Sequence, residues 1–390
     1  MTLFQRIKAI SLRELKGYSR RPLFLFSMVV APVLCAVFFV TLMDRGLPTD
    51  LSAGIVDEDN THISRTIVRT IDAMEEADLK VAYPSFSEAR SAMQRGEIYS
   101  FFYIPKGTTE EALANRQPKI SFYTNEAYFV PGSLLMKDFR TASELSGLAL
   151  TRETLYAKGA TEDKAMGIIQ PVTIETHPLN NPTLDYAVYL NNILVPGILI
   201  LLIMLSTSYT IGMEWKFETQ KKLYFMAGNS STVALIGKLL PQTLLFTLIF
   251  LFYDVYFYRI AGYPCNVEIW RMMLLGFMTV LASQAFGVFF FGVFLGQMRT
   301  AMCLCSLWGI LSFSVAGFTY PVTAMSPSLQ SLAWLFPLRH YYLVYVNQAL
   351  NGYPITCVWS SVAALLCFII LPLAVLPRYR RAFLKYKYKE

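Results

Sequence analysis

Charged residues are scarce, at 16% of the 390-residue chain, where soluble globular proteins carry about 25%. A chain so poor in charge and 54% hydrophobic cannot present an ordinary water-facing surface. That excludes a cytosolic enzyme and a disordered polymer alike. Histidine is scarcer still: only His62, His177 and His340 occur, far apart, and no zinc spacing, nucleophile elbow or paired carboxylates on one helix face accompany them. Beside Asp57 and Asp59, His62 reads as part of a solvated turn after a strand. Cysteine is absent from Asp44 to Asp185, which argues against a disulfide framework there. Cys303 and Cys305, two apart, face different sides of a helix and, like the other four, read as packing residues. Nucleotide-binding motifs are missing as well. Gly237-Lys238 ends a stretch that resembles a phosphate loop, but Thr232 stands where the first glycine is needed and Leu239 where a hydroxyl must reach magnesium.

Long apolar runs are what the chain does have. Leu23 to Met43 is uncharged and long enough to cross a roughly 30 Å hydrocarbon layer. Further runs give spans at 186–213, 235–258, 269–296, 300–319 and 355–376, six in all. Charge divides sharply between them. The block 44–185 holds 21 acidic and 14 basic residues, whereas the rest holds 20 basic and 6 acidic. Arg6, Lys8, Arg13, Lys16, Arg20 and Arg21 precede the first span with only Glu14 opposing, and the tail 377–390 ends in Arg378, Arg380, Arg381, Lys385, Lys387 and Lys389. By the positive-inside rule both termini are cytoplasmic and 44–185 is extracytoplasmic. The connection 214–234, with Lys216, Lys221 and Lys222, falls inside by the same count. A cleaved signal peptide competes for the first span, but the run is longer than a usual h-region and no small-x-small site precedes Asp44. Residues 1–22 mix apolar and basic positions as an interfacial helix does. The basic charge beside apolar runs points to anionic lipid and not to nucleic acid.

The acidic block reads as an α/β domain. Strands are expected at 51–56, 79–83, 98–104 and 119–123, with helices at 63–73 and 86–95 in βαβ alternation. Residues 131–167 suit helical stalk elements, and Val172 to Thr176 a strand. The fold class expected is therefore an α-helical polytopic membrane protein of six transmembrane helices with an inserted extracytoplasmic α/β domain.

Two segments stand out. Glu214 to Asn229 is helix-compatible, with Gly228-Asn229 suited to a left-handed stop and Ser230 or Ser231 to capping the next helix. Its aromatics can bury in a groove on a cytoplasmic partner, or Trp215, Phe217 and Phe225 can sit at the headgroup level. The segment 320–354 is broken by Pro321, Pro327 and Pro337 and reads as short re-entrant or external helices. Arg339 and His340 are costly in lipid and are expected at the outer interface or against a polar cavity. Asn191, Asn192, Asp254 and Gln284 are the polar candidates for a lumen, helix-to-helix bonding being the alternative for each.

Gly317-Phe318-x-Tyr320-Pro321 with Met325, Pro327 and Phe336-Pro337-Leu338-Arg339-His340-Tyr341 resembles the C-terminal signature of the permease subunit of ABC-2 type ATP-binding cassette exporters, in the branch with a large external domain between spans one and two. The resemblance covers nearly the whole chain, and Glu218, Thr219, Leu223 and Gly237-Lys238 fall close to that family's coupling region. It implies ATPase coupling through Glu214, Trp215, Lys216, Glu218, Thr219, Lys222 and Leu223, and an external motif built on Gly317, Tyr320, Pro321, Pro327, Pro337, Arg339 and His340. It further implies two copies of an ABC ATPase and pairing with itself or a homologous permease. ATP and magnesium would be held by the ATPase and no cofactor by this chain. A bacterial inner-membrane exporter of hydrophobic or amphipathic cargo, working as in multidrug efflux, is the implied role. Its external domain would bind either substrate or a periplasmic adaptor leading to an outer-membrane channel. A membrane receptor or scaffold with a ligand-sensing external domain is the alternative from another class.

Overall fold

The computed structural model describes residues 2–19, 21–114, 116, 118–170 and 175–385. Two compact units emerge, Met1–Gly46 with Pro178–Glu390 and, inserted between them, Leu47–His177.

The first unit is helical. After an amino-terminal helix, Leu3–Ser19, six helices among the described residues are long and apolar enough to cross a membrane: Pro22–Leu42, Ala187–Lys216, Ser231–Ile260, Ile269–Val293, Met298–Val315 and Ile355–Lys385. Prolines shape several of them. Pro22 opens the first span, where a fixed φ and a missing N–H cost nothing, and a widened turn at Phe26–Val30 precedes Pro32. The second and fourth spans form the buried centre. They approach closely because residue 287 is glycine: a Cβ there would lie 2.8 Å from Thr207 Cβ and 2.9 Å from the Met204 carbonyl oxygen. Ser208 Oγ donates to the Gly287 carbonyl at 3.0 Å across the same contact. The first and sixth spans lie at the margin and leave Leu25, Phe26, Leu34, Phe38, Leu366 and Ile370 exposed, an apolar surface suited to lipid.

The inserted unit carries a four-stranded sheet of order β2-β1-β3-β4, with β1 Leu51–Asp57, β2 Ala77–Ala82, β3 Ser100–Ile104 and β4 Ser121–Thr124. Strand β1 runs parallel to β2 and β3, as the βαβ reading requires, while β4 returns antiparallel to β3. Helix α1, His62–Asp72, starts with a capping box between Thr61 and Ser64, and α2, Phe86–Gln94, is capped by Ser85. Successive residues of β3 face opposite sides, so Phe102 packs with Ile67, Ile71 and Phe139 while Phe101 packs with Val56, Ala89 and Ile98.

A short helix α3, Thr108–Leu113, was not legible in the sequence. The Asp59 carboxylate makes it, accepting hydrogen bonds from the backbone N–H of Gly107 at 2.8 Å and of Thr109 at 3.1 Å. Burial alone would raise the Asp59 pKa, but hydrogen bonds from Thr109, Thr61 and Gly107 hold it below its ordinary value. Asp57 accepts from Ser64 Oγ at 2.7 Å. These acids beside His62 thus build a turn and two helix starts. The helix-compatible stretch 131–167 resolves into α4, Phe129–Ala157, and α5, Glu162–Ile169, separated at Gly159, where φ is +81°. Of the strand expected at Val172 to Thr176, residues 172–174 lie outside the described residues, and Glu175 and Thr176 adopt no regular structure.

Candidate functional site

The second span does not stop at the end of its apolar run. Glu214, Trp215 and Lys216 continue the helix, which then ends where Glu218 takes φ +53°. Thr219 N–H bonds the Glu214 carbonyl at 2.8 Å and Glu218 N–H the Trp215 carbonyl at 3.2 Å, the paired bonds of a Schellman stop with glutamate in the place usually taken by glycine. A short elbow helix, Gln220–Met226, follows and ends in the same way at Gly228, φ +68°, through Asn229 to Tyr224 at 3.0 Å and Gly228 to Phe225 at 2.9 Å. Ser230 then caps the third span by accepting from Val233 N–H. Two helices joined by a left-handed corner therefore replace the single helix expected over this stretch.

A buried ion cluster sits under the corner. The Glu214 carboxylate accepts from Arg13 Nη2 at 2.6 and 2.8 Å, from Lys238 Nζ at 2.7 Å and from Thr219 Oγ1 at 2.5 Å. Lys238 Nζ also donates to Glu14 Oε2 at 2.6 Å. Lys238, Glu214 and Glu14 side chains are 3%, 5% and 8% exposed, so Lys238 sits between two carboxylates away from water, and the partly exposed Arg13 balances the remaining charge. The amino-terminal helix is fixed to the third span by two further contacts, Ser11 Oγ to the Gly237 carbonyl at 2.8 Å and Ile10 packed on Gly237. One cluster thus locks together the amino-terminal helix, the end of the second span and the start of the third.

Trp215 was expected to reach a partner, and the structure corrects this. It is fully buried, because continuing the helix by one turn swings it inward against Phe291, Tyr379 and Phe383, at ring separations of 5.1 to 6.2 Å. Glu214 and Leu223 are buried as well, and Thr219 is partly so. The elbow helix lays its inner face, with Leu223 and Tyr224, on the carboxy-terminal helix Leu376–Lys385, where Tyr224 stacks on Phe383 at 5.4 Å. What remains accessible is an outer face of Lys216, Phe217, Glu218, Lys221, Lys222 and Phe225. Phe217 and Phe225 are 53% and 62% exposed there. Phe217, Lys221 and Phe225 were missing from the coupling set read from the sequence. So were Arg13, Glu14 and Lys238, although a lysine inside an apolar run and a lone acid among six cations are the signals of a buried counter-charge.

The proline-rich segment forms short helices, as expected. Pro327 and Pro337 each begin a helix, Pro327–Ala333 and Pro337–Tyr345, so the prolines start structure here instead of breaking it. Gly317 has φ +103°, and its corner lies against Arg339, whose Nη1 is 3.4 Å from the Ala316 carbonyl. Tyr320 is exposed. His340 is fully buried in protein, with Nε2 2.8 Å from the Trp334 carbonyl and its ring against Phe368, because the turn between the two helices folds back over it.

Three of the four lumen candidates make internal hydrogen bonds. Asn191 donates to Tyr263, in the loop after the third span, at 3.0 Å, Gln284 accepts from Thr243 of the third span at 2.7 Å, and Asn192 bonds the Val188 carbonyl within its own helix. Asp254 is buried with one carboxyl oxygen unpartnered.

A family model described as an ABC-2 family transporter protein matches residues 22–376. The search of curated proteins gives no match.

Proposed function

Since the chain belongs to the ABC-2 transporter family, we propose that it is the permease subunit of an exporter, driven through its elbow helix by a separate ATPase. A family of this kind supplies a multi-pass membrane permease and not a catalyst, and its membership implies an ABC ATPase partner. ATP and magnesium belong to that partner. The finer reading places the chain in a bacterial inner membrane with both termini cytoplasmic and residues 44–185 outside. There it works as a pair of permeases over two ATPases and exports hydrophobic or amphipathic cargo, multidrug efflux being one form of this. The external domain either meets substrate or joins an adaptor and an outer-membrane channel.

The observation that carries the coupling assignment is the outer face of the elbow. Phe217 and Phe225 are exposed in the same segment as the exposed Lys216, Glu218, Lys221 and Lys222, a mix of apolar and charged side chains that suits a helix inserting into a groove. Both ends of the elbow are capped, and its first corner hangs on Glu214. A push on it moves the second span, the third span and the amino-terminal helix together. Such coupling needs only that the two permease conformations bind the ATPases with different free energies.

The test is co-purification of the ATPase with Phe225→Asp and Glu218→Arg permeases, both changes being on exposed side chains. Loss of the ATPase with unaltered permease melting supports the assignment. Normal ATPase retention and normal substrate-stimulated hydrolysis in both variants would overturn it.

A further inference from the structure

Beside the elbow, on the face away from the ion cluster, an open cleft of 720 Å³ separates the start of the third span from the carboxy-terminal helix. Its polar wall consists of Ser231, Thr232, Arg380, Arg381 and Lys385, and its apolar wall includes Leu376 and Leu384. We propose that this cleft binds the phosphate of an anionic phospholipid, with the acyl chains leaving along the leucine side.

Four independent features converge on that chemistry. Arg380, Arg381 and Lys385 are exposed and have no carboxylate partner among the described residues. They face the first turn of a 25-residue helix, where the N–H groups of Ser231 and Thr232 have no acceptor four residues back and the helix end favours an anion. Ser231 is itself only 7% exposed, lines the cleft, and its hydroxyl has no hydrogen-bond partner. A buried hydroxyl in that state is costly until an acceptor arrives. Position supplies the fourth. The cleft lies where the polar ends of two helices long and apolar enough to cross a membrane meet, Ser231 opening one and Leu376–Lys385 closing the other, a place that suits a lipid headgroup. Guanidinium pairs take phosphate bidentately, and Leu376 and Leu384 give the site an apolar side that free phosphate would not use.

The full-length chain in detergent, titrated with phosphatidylglycerol or phosphatidylcholine and read by native mass spectrometry, tests the site. Phosphatidylglycerol is expected to be retained in preference to phosphatidylcholine. Arg380→Gln and Arg381→Gln should each weaken retention about fivefold, the effect of one basic residue near an anionic surface. Arg378→Gln removes the same charge within one turn, but Arg378 does not line the cleft and its Nη1 lies 3.4 Å from the Val293 carbonyl, so retention should stay unchanged. Exposed residues of this kind tolerate substitution, so all three variants should fold. Equal losses in the three variants would reduce the effect to general surface charge, and equal retention of the two lipids would remove it. Displacement of phosphatidylglycerol by millimolar inorganic phosphate would assign the cleft to a free anion. Any of these results overturns the lipid site.

Discussion

Replacing Lys238 by Met keeps the length of the side chain and removes the cation that joins Glu14 and Glu214. In the native cluster Arg13 and Lys238 balance the two glutamates, and Lys238 approaches them at 2.6 and 2.7 Å. At an effective dielectric of about 20 each contact is worth about 6 kcal/mol before desolvation, which cancels most of it. After Lys238→Met, Arg13 Nη2 still reaches both Glu214 oxygens, but Glu14 keeps only its 3.8 Å approach to Arg13, and the cluster carries one uncompensated negative charge. Breaking a buried pair from one side costs about 3–5 kcal/mol, and that is the expected loss of unfolding free energy. A second change, Glu14→Gln, restores neutrality, so Lys238→Met/Glu14→Gln should be about 1–3 kcal/mol more stable than Lys238→Met alone. Denaturant titration of the purified permease, followed by the fluorescence of Trp215 and its neighbours, measures all members of the cycle. A Lys238→Met variant within 0.5 kcal/mol of the parent would refute the reasoning. So would a double variant less stable than the single one.

The buried carboxyl pair of the inserted domain gives a pH test. Glu76 N–H donates to Asp138 Oδ2 at 3.1 Å and Lys137 Nζ to Glu76 Oε1 at 3.0 Å. Burial first, then the hydrogen bond and charge of Glu76, push the Asp138 pKa up to about 7, while Glu76 is held below its ordinary value. A carboxyl raised on folding stabilises below its unfolded pKa and loses that contribution as pH climbs through the folded one. Domain stability, read by hydrogen exchange in β1 and β2, should therefore fall between about pH 4 and pH 7. Asp138→Asn should flatten the profile, and a flat profile in the parent would contradict the assignment. Glu218→Gly should raise unfolding free energy by about 1 kcal/mol, because glycine adopts the left-handed corner without a Cβ penalty; a loss in the same denaturant titration would show that the glutamate side chain is needed there. Gly287→Ala should cost about 1–3 kcal/mol and lower transport, since a Cβ would meet the Met204 backbone carbonyl and part the two central spans; an unchanged melt and transport rate would show that the spans can separate freely.

Much of the architecture was legible because its causes are local. A run of twenty uncharged apolar residues has no soluble solution, so the spans followed from composition and length. Alternation placed strands and helices of the inserted domain; the hydroxyls of Thr61 and Ser85, which cap two of those helices, emerged only in the structure. Gly228 and Ser230 announced the end of the elbow and the start of the third span.

Which side chains of 214–226 are buried was less legible, and the reason is single. The aromatic residues of 215–225 look interchangeable as sequence, yet a helix turn more or less decides which are core: Trp215 is sealed against the carboxy-terminal helix, while Phe217 and Phe225 stay outside. Nothing local marks Glu218 as a left-handed residue, since only the contacts around it sustain that conformation.

By itself the sequence determined that this chain crosses a membrane repeatedly, that an acidic α/β domain interrupts it, and where its helices can begin and end. Each of those follows from the hydration cost or dihedral preference of residues taken a few at a time. Tertiary structure alone decided that Arg13, Glu14, Glu214 and Lys238, up to 225 positions apart, share one cluster, and which phenylalanines stay exposed. Charge compensation away from water depends on distance in space, and a one-dimensional pattern carries none of it.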